Sequence, residues 1–335
     1  MTTKHSNVAL FVPHAGCPHR CSFCDQRAIS GHAAIPTAAE IQAACERAIA
    51  TRRTHPEASE VAFFGGSFTA LPAAEQEALL GAAYPFVQAG HFHGIRLSTR
   101  PDCVDEGTIK RLLRFGVTAV ELGAQSMDDR VLTANFRGHT AADVERAAAC
   151  IREAGLTLGL QMMTGLYSDT DEGAMDTARR LCALRPATLR IYPTQVLPGT
   201  YLARLWERGD YHPATLDEAV ALCARLLDYV QRQGVRVIRL GLHADTDLQA
   251  KRLAGPYHPA FRELCEGQLY LNTALAVLKR TCPHGGAVTL TVAPAALSKM
   301  IGQKRANLAA LEAQGYFVTV KTHPDVPLYA VRPEI

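Results

Sequence analysis

No uninterrupted apolar run in these 335 residues reaches about 18, the length that spans a bilayer, so no membrane-spanning helix is expected. The opening residues, Met1-Thr2-Thr3-Lys4-His5-Ser6-Asn7, are polar; this argues against a secretory signal and makes the cytoplasm the default location. Charge of one sign is also scarce. The 35 Lys and Arg stand against 32 Asp and Glu, a formal +3, too little to decide for or against a nucleic-acid partner. Hydrophobic residues at 48% and charged residues at 20% are the balance of an ordinary globular protein. The length suits about two domains, or one large α/β barrel with an appendage.

Cysteine, by contrast, is plentiful, with ten in the chain. Cys45, Cys103, Cys150, Cys182, Cys223, Cys265 and Cys282 are scattered, several on apolar helical faces where a free thiol packs as a small hydrophobe. The other three lie close together in Gly16-Cys17-Pro18-His19-Arg20-Cys21-Ser22-Phe23-Cys24, after the strand-like run Val8-Ala9-Leu10-Phe11-Val12. Three thiolates alone do not saturate a tetrahedral zinc, although His14 or His19 could complete one. They can hold three corners of a four-iron–four-sulfur cube, leaving one iron open to a small molecule with an amine and a carboxylate.

Beyond this loop, strand and helix patterns alternate. Thr37-x-x-Glu40, Thr140-x-x-Asp143 and Thr215-x-x-Glu218 are capping boxes. Each opens a run with apolar residues at helical spacing: Ile41, Ala44, Cys45, Ala48; then Val144, Ala147, Ala148, Ile151; then Ala219, Leu222, Leu226, Val230. Between the helical runs lie short apolar segments at 60–64, 95–98, 118–122, 157–161, 188–192 and 235–240. The alternation predicts an α/β fold, a parallel sheet closed partly or fully into a (β/α) barrel. Ligand groups in such barrels come from the carboxyl ends of the strands. The unusual polar residues fall there: the cysteines, Gly65-Gly66-Ser67, Ser98 to Asp102, Gly123 to Ser126, Gln161 with Met163, and Tyr192-Pro193-Thr194.

Together the stretches FVPHAGCPHRCSFCDQ, FFGGSFTALP, STRPD, ELGAQSMDD, FRGHT and RIYPTQVLPGT resemble the radical SAM superfamily over about residues 8–245, and its elongator-type branch most. The resemblance implies a radical SAM barrel. It implies a 4Fe-4S cluster on Cys17, Cys21 and Cys24, with S-adenosylmethionine chelating the open iron beside Phe23. A low-potential donor such as flavodoxin or ferredoxin would supply an electron, and reductive cleavage would give a 5′-deoxyadenosyl radical. Gly65 and Gly66 would present their backbone to the methionine amino group, since no Cβ intrudes. Ser67 stands where many relatives carry Glu. Ser98 and Gln125 are candidates for ribose hydroxyls, or are satisfied strand ends. Arg137 can clamp the methionine carboxylate, or form a surface ion pair. Gln161 and Met163 match the adenine-side segment, or are core. The acetyltransferase domain of elongator catalytic subunits is not expected within these residues.

On the substrate side, Tyr192, Tyr257, His258 and Arg262 are the candidates. Pro256 and Pro259 restrict the loop around Tyr257-His258, and Arg239 to His243 is a further stretch at the barrel mouth. The tail reads as strand 287–292, short helix 294–300, a loop, helix 306–314 and strand 316–320. With Ile301-Gly302-Gln303-Lys304-Arg305 as the loop, this order resembles the core of a KH RNA-binding module. That module's loop is Gly-x-x-Gly, and Arg305 stands at its second glycine, which makes backbone approach poorer although the charge is favourable. Residues 279–335 hold seven Lys and Arg against three acids, consistent with phosphate contact through Lys304 and Arg305; a small lid without an RNA role is the alternative. The expected division is a 1–245 core barrel, a 246–285 helical connector closing the barrel mouth, and a 286–335 KH-like domain. The expected activity is radical modification of RNA, with tRNA the expected substrate. A small-molecule or peptide substrate, and a non-catalytic metal-binding RNA adaptor, are the alternatives.

Overall fold

The computed structural model describes residues 5–12, 17, 20–25, 34–51, 55–242 and 251–334. Of the positions singled out above, His14, Gly16, Pro18, His19 and His243 lie outside them.

Seven strands, β1 (Ser6–Val12), β2 (Ser59–Gly65), β3 (Gly94–Thr99), β4 (Val117–Gln125), β5 (Thr157–Thr164), β6 (Thr188–Pro193) and β7 (Arg236–Leu240), form one sheet. Their spatial order equals their chain order and every pair is parallel. Each strand therefore reaches its neighbour by a crossover, as alternating β and α patterns require. Strands β1 and β7 are the two edges, so the curved sheet is a half-barrel, the α/β architecture the sequence predicts.

Helices cover the outside. The principal ones are α1 (Ala38–Ala50), α2 (Ala73–Gln88), α3 (Glu106–Arg114), α4 (Asp129–Ala134), α5 (Ala141–Glu153), α6 (Asp171–Ala183), α7 (Tyr201–Glu207) and α8 (Leu216–Arg232). All three capping boxes form, with reciprocal bonds at Thr37/Glu40, Thr140/Asp143 and Thr215/Glu218. Behind each box the apolar stripe turns inward: Ile41 and Cys45 in α1, Val144, Ala147, Ala148 and Ile151 in α5, Leu222, Leu226 and Val230 in α8.

A long helix, α9 (Phe261–Thr281), carries the chain out of the barrel. Phe261, Cys265 and Leu269 on its first half pack into the barrel core, whereas Tyr270, Ala274 and Leu278 on its second half belong to a smaller one. That smaller core is roofed by β8 (Gly286–Val292), α10 (Leu297–Ile301), α11 (Ala306–Glu312), β9 (Tyr316–Thr322) and β10 (Arg332–Glu334). Its sheet has the order β10-β8-β9, with β8 and β9 parallel and β10 antiparallel. The first four elements follow the predicted order; β10 is an addition. No helix among the described residues is long and apolar enough to cross a membrane.

Candidate active site

The cysteine loop is pinned from below by Ser22, which is fully buried. Its backbone N–H donates to Asn135 O (3.0 Å), its hydroxyl to Asn135 Oδ1 (2.7 Å), and its carbonyl accepts from Leu202 N (2.8 Å). Asn135 is fixed in turn by its amide, which donates to Val131 O and Tyr167 O. The ends of α4 and α7 thus hold the backbone between Cys21 and Cys24.

Cys17, Cys21 and Cys24 line one wall of a cavity of about 130 Å³. Arg20 and Phe23 stand with them, and Gly65, Gly66, Ser67, Ser98, Thr99, Arg100, Gly123, Gln125, Arg137 and Gln161, from the carboxyl ends of β2 to β5 and the loops after them, complete it. Gly65 has φ 105°, backbone that only glycine adopts cheaply. Gln125 also has a positive φ, 66°, and a non-glycine residue held there is the kind of local strain found at functional sites. Ser67 is buried and its hydroxyl is committed, accepting from Arg100 N (3.1 Å) and bonding Thr99 Oγ1 (3.0 Å). What it offers the cavity is backbone, and its N–H points at the Cys17 thiol. Burial pushes the Cys17 thiol up; that bond and the nearby Arg100 and Arg137 oppose it.

Arg137 is buried in the same wall. Its Nη2 donates to Gly123 O (2.6 Å) and its Nη1 to Cys21 Sγ (3.1 Å), while its Nε is buried with no partner. Arg100 stands beneath it, donating to the Arg137 carbonyl and held by both oxygens of Asp102 (2.9 Å each). Behind them the buried His139 imidazole bonds Ala124 O (3.2 Å). Burial, with Arg137 and Arg100 alongside, pushes its pKa down to about 4.

These groups fit a cluster with a chelating amino acid. An unpartnered guanidinium nitrogen suits a carboxylate, and thiols on one wall suit iron. A Cβ on Gly123 would come within 2.9 Å of Gln125 Nε2 and 3.5 Å of Arg137 Nη2, so glycine keeps that space open. Among the described residues no three Cys, His, Asp or Glu side chains gather around a single-ion position; a cube spreads its ligands over separate irons and needs no such gathering.

Phe23, Cys24, Gly65, Ser98, Gln125 and Gln161 also line a second cavity of about 900 Å³, the half-barrel's lumen. Its volume is in the upper range of ligand sites. The lumen descends past Met163 and Tyr192 to Asn7, Thr188 and Arg236. Its walls carry charge. Glu121, 1% exposed, is gripped by Arg190 (Nη2–Oε1 2.8 Å, Nε–Oε2 2.5 Å), Arg96 (3.2 Å) and Gln161 (3.1 Å). Arg96 also reaches Glu60 (2.7 Å). Burial pulls the Arg190 guanidinium down, but Tyr192 and Glu121 beside it more than restore it. Burial likewise pushes the Tyr192 phenol up.

Of the residues expected to bind cofactor, the structure gathers Phe23, Gly65, Gly66, Ser67, Ser98, Gln125, Arg137 and Gln161 with the cysteines, while Met163 lines only the lumen. Of the substrate-side candidates, Tyr192 and Arg262 face the lumen; Tyr257 and His258 line neither cavity. Tyr257 lies under the Arg252 guanidinium, 5.6 Å from its centroid, and His258 Nδ1 accepts from Ala260 N (3.1 Å). Their loop still docks on the end of β6: Ala254 bridges Val196, and Gln195 Nε2 donates to Pro256 O (2.7 Å). Arg96, Arg100, Glu121, His139 and Arg190 are functional candidates that only the structure brings out. A signal was available, since Arg96, Glu121 and Arg190 each interrupt an apolar strand.

A parallel half-barrel with three thiols and a guanidinium cradle at its carboxyl rim defines an enzyme frame suited to metal-centred chemistry above an open lumen. The profile of the Radical SAM superfamily matches residues 11–181, and that of the Radical_SAM C-terminal domain matches 186–270. The chain belongs to the Radical SAM superfamily, whose cofactors are a 4Fe-4S cluster and S-adenosylmethionine, and it is an enzyme that is similar in sequence to proteins of the elongator type. A "tRNA uridine(34) acetyltransferase" of Dehalococcoides mccartyi is 29% identical over 242 residues, covering 62% of this chain and 52% of the relative. "Elongator complex protein 3" of Saccharomyces cerevisiae is 33% identical over 140 residues, 41% of this chain and 25% of that protein. The chain thus spans about half the length of the first relative and a quarter of the second. Among solved structures, Elp3 of Methanocaldococcus infernus superimposes with a TM-score of 0.63 at 20% identity, covering 82% of this chain and 68% of that one; this shared fold is the predicted barrel.

Proposed function

We propose that the protein modifies tRNA by radical chemistry, with Cys17, Cys21 and Cys24 holding the cluster. Arg137, Gly65, Gly66, Gln125, Ser98 and Gln161 would bind S-adenosylmethionine, with Phe23 flanking the cluster and Met163 lining the adjoining lumen. The observation carrying this reading is the continuity of the thiol-lined cavity with the lumen, through six shared lining residues. When bound, the two cofactors supply a 5′-deoxyadenosyl radical able to take hydrogen from an unactivated carbon. The protein's part is to hold, orient and exclude water. Arg137 holds the carboxylate, Gly123 and Gly65 leave room for the ligand, and the apolar ring of Phe23 shields the junction of the two cavities. Tyr192 and Arg262 face the substrate. The electron donor is a low-potential flavodoxin or ferredoxin, and the setting is the cytoplasm.

The RNA half of this reading draws on relatives named for tRNA and on the small C-terminal domain, taken here as a KH-like unit beyond the α9 connector. Its loop 302–305 exposes Lys304 and Arg305 for phosphate contact. Enzyme reconstituted without oxygen should contain four irons per chain and release 5′-deoxyadenosine with dithionite. With total tRNA and labelled cofactor it should transfer hydrogen between a tRNA nucleoside and the cofactor product, and Lys304→Glu/Arg305→Glu should weaken tRNA binding. Cofactor cleavage with no tRNA-dependent transfer and unchanged binding would sink the RNA half. A small-molecule or peptide substrate is the second reading, favoured by a lumen of ordinary ligand size.

A further inference from the structure

Helix α4 ends in a left-handed turn that its sequence does not favour. Phe136 N donates to Thr133 O (3.1 Å) and Arg137 N to Leu132 O (3.0 Å), the paired bonds that close a helix through one residue of positive φ, usually glycine. Here that residue is Phe136, at φ 56°, and a bulky side chain is strained there. Burial does not offset the strain, for Phe136 is 44% exposed. Its ring leans on Tyr201 at the start of α7, with centroids 4.8 Å apart and planes tilted by 53°. The exposed Arg204 lies over the half-buried Tyr201 ring, 5.2 Å from its centroid, and among the described residues no carboxylate pairs with it. The cysteine loop fixes the place of these groups. Asn135, before Phe136, and Leu202, after Tyr201, are the residues that bond Ser22, and Arg137, after Phe136, bonds Cys21 Sγ. Two rings and a cation therefore stand beside the thiol-lined cavity, which the exposed Arg20 also lines.

We propose that Phe136 and Tyr201, with Arg204, form a stacking platform for an unpaired RNA base that flanks the nucleotide under modification. The inference deepens the functional reading above and rests on it for RNA as the substrate class. Aromatic faces and guanidinium planes are what splayed-out bases stack on, and a cation without a carboxylate partner suits the adjoining phosphate. One exposed ring, one half-buried ring and a guanidinium make a patch of the size of a base or two. A stable protein partner needs about 1,000 Å² of interface, far more than these groups offer, so an electron-donor protein fits the patch less well. The strain points the same way. Glycine would close the α4 turn more easily than Phe136 does, so what the phenylalanine adds there is its ring.

The test is RNA binding by cluster-reconstituted protein, read by fluorescence anisotropy without S-adenosylmethionine. The probes are a labelled single-stranded RNA heptamer of mixed sequence and the same sugar–phosphate strand without bases. The native protein should bind the heptamer about tenfold or more tighter than the abasic strand, as one or two stacked bases allow. Phe136→Gly should lose that preference while its melting temperature stays equal or rises, and Phe136→Trp should keep it. Tyr201→Leu, which removes the second ring, should weaken heptamer binding about fivefold or more. No preference for bases in the native protein, or the same preference in Phe136→Gly, would overturn the proposal. A lower melting temperature in Phe136→Gly with heptamer binding intact would also overturn it, by making the ring a structural wedge. Slower cluster reduction by flavodoxin in Phe136→Gly, again with heptamer binding intact, would give the patch to the electron donor instead. Should Phe136→Gly unfold, Phe136→Leu and Tyr201→Leu carry the comparison. Base-dependent binding through Phe136 without tRNA-dependent hydrogen transfer would refute the RNA-modifying reading alone; hydrogen transfer with native-like binding by Phe136→Gly would refute only the platform.

Discussion

Replacing Glu121 by Gln removes the one negative charge shared by Arg96 and Arg190 while keeping the side chain's size. Arg96 would retain Glu60 at 2.7 Å. Arg190 would be left with the Tyr192 hydroxyl at 3.4 Å and the face of Phe64, whose centroid is 5.1 Å away. Breaking a buried ion pair from one side costs about 3–5 kcal/mol, because the surviving charge stays desolvated. Glu121 is 1% exposed, but the lumen on which Arg190 opens admits water, so about 3 kcal/mol is the expected loss. That is a large part of the roughly 5–15 kcal/mol that holds a domain folded. Urea unfolding followed by circular dichroism should show a lower midpoint with an unchanged slope, the mark of lost stability without a changed unfolded state. The double variant Glu121→Gln/Arg190→Met removes both ends and should recover at least about 1 kcal/mol relative to additivity. A Glu121→Gln protein within about 0.5 kcal/mol of the native one, the range of a neutral surface change, would refute the reasoning. The network would then be solvated, and the charge distribution drawn for the lumen would be wrong.

Two further outcomes follow from buried or strained groups. Burial, then the neighbouring Asp128 and Asp171, raise the Asp169 carboxyl to about 6, although a bond from Thr170 N works against them. A raised folded pKa contributes stability below the unfolded value near 3.8 and loses it as pH rises through about 6, so Asp169→Asn should stabilise at pH 7 by about 1–3 kcal/mol, with the gain roughly halved at pH 5; a pH-independent gain in melting temperature would contradict the assignment. Lys304 and Arg305 both hold left-handed backbone, at φ 50° and 64°, which costs a non-glycine residue about 1 kcal/mol or more. Arg305→Gly should therefore leave stability unchanged or raise it by up to about 1 kcal/mol, and a clear loss on thermal unfolding would show that the arginine side chain itself holds the loop.

That loop also shows where the sequence is a good guide and where it is not. With arginine at the second glycine position, the sequence makes backbone approach to a phosphate poorer than in a Gly-x-x-Gly loop, and it carries no sign of the glycine-like backbone found there. The structure gives Arg305 a left-handed φ all the same, because the Gly302 turn before it and the start of α11 after it determine the path. Local preference loses to tertiary constraint. The barrel was legible for the opposite reason. Capping boxes, apolar stripes and short apolar strands agree at every level, so seven strands in chain order follow from periodicity and crossover rules alone. The rim was legible as well, because glycine pairs, spaced thiols and strand-end polar residues each have a physical reason to stand there. The floor was not. Arg96, Glu121 and Arg190 are single charges inside apolar strands, and periodicity treats a single charge as noise. A parallel strand covered outside by helices leaves a charged side chain only the lumen to face, and partners for those charges come from strands up to 69 residues away. Which charges meet is set by register, and register between crossovers is fixed by packing along the whole sheet, which no local pattern records.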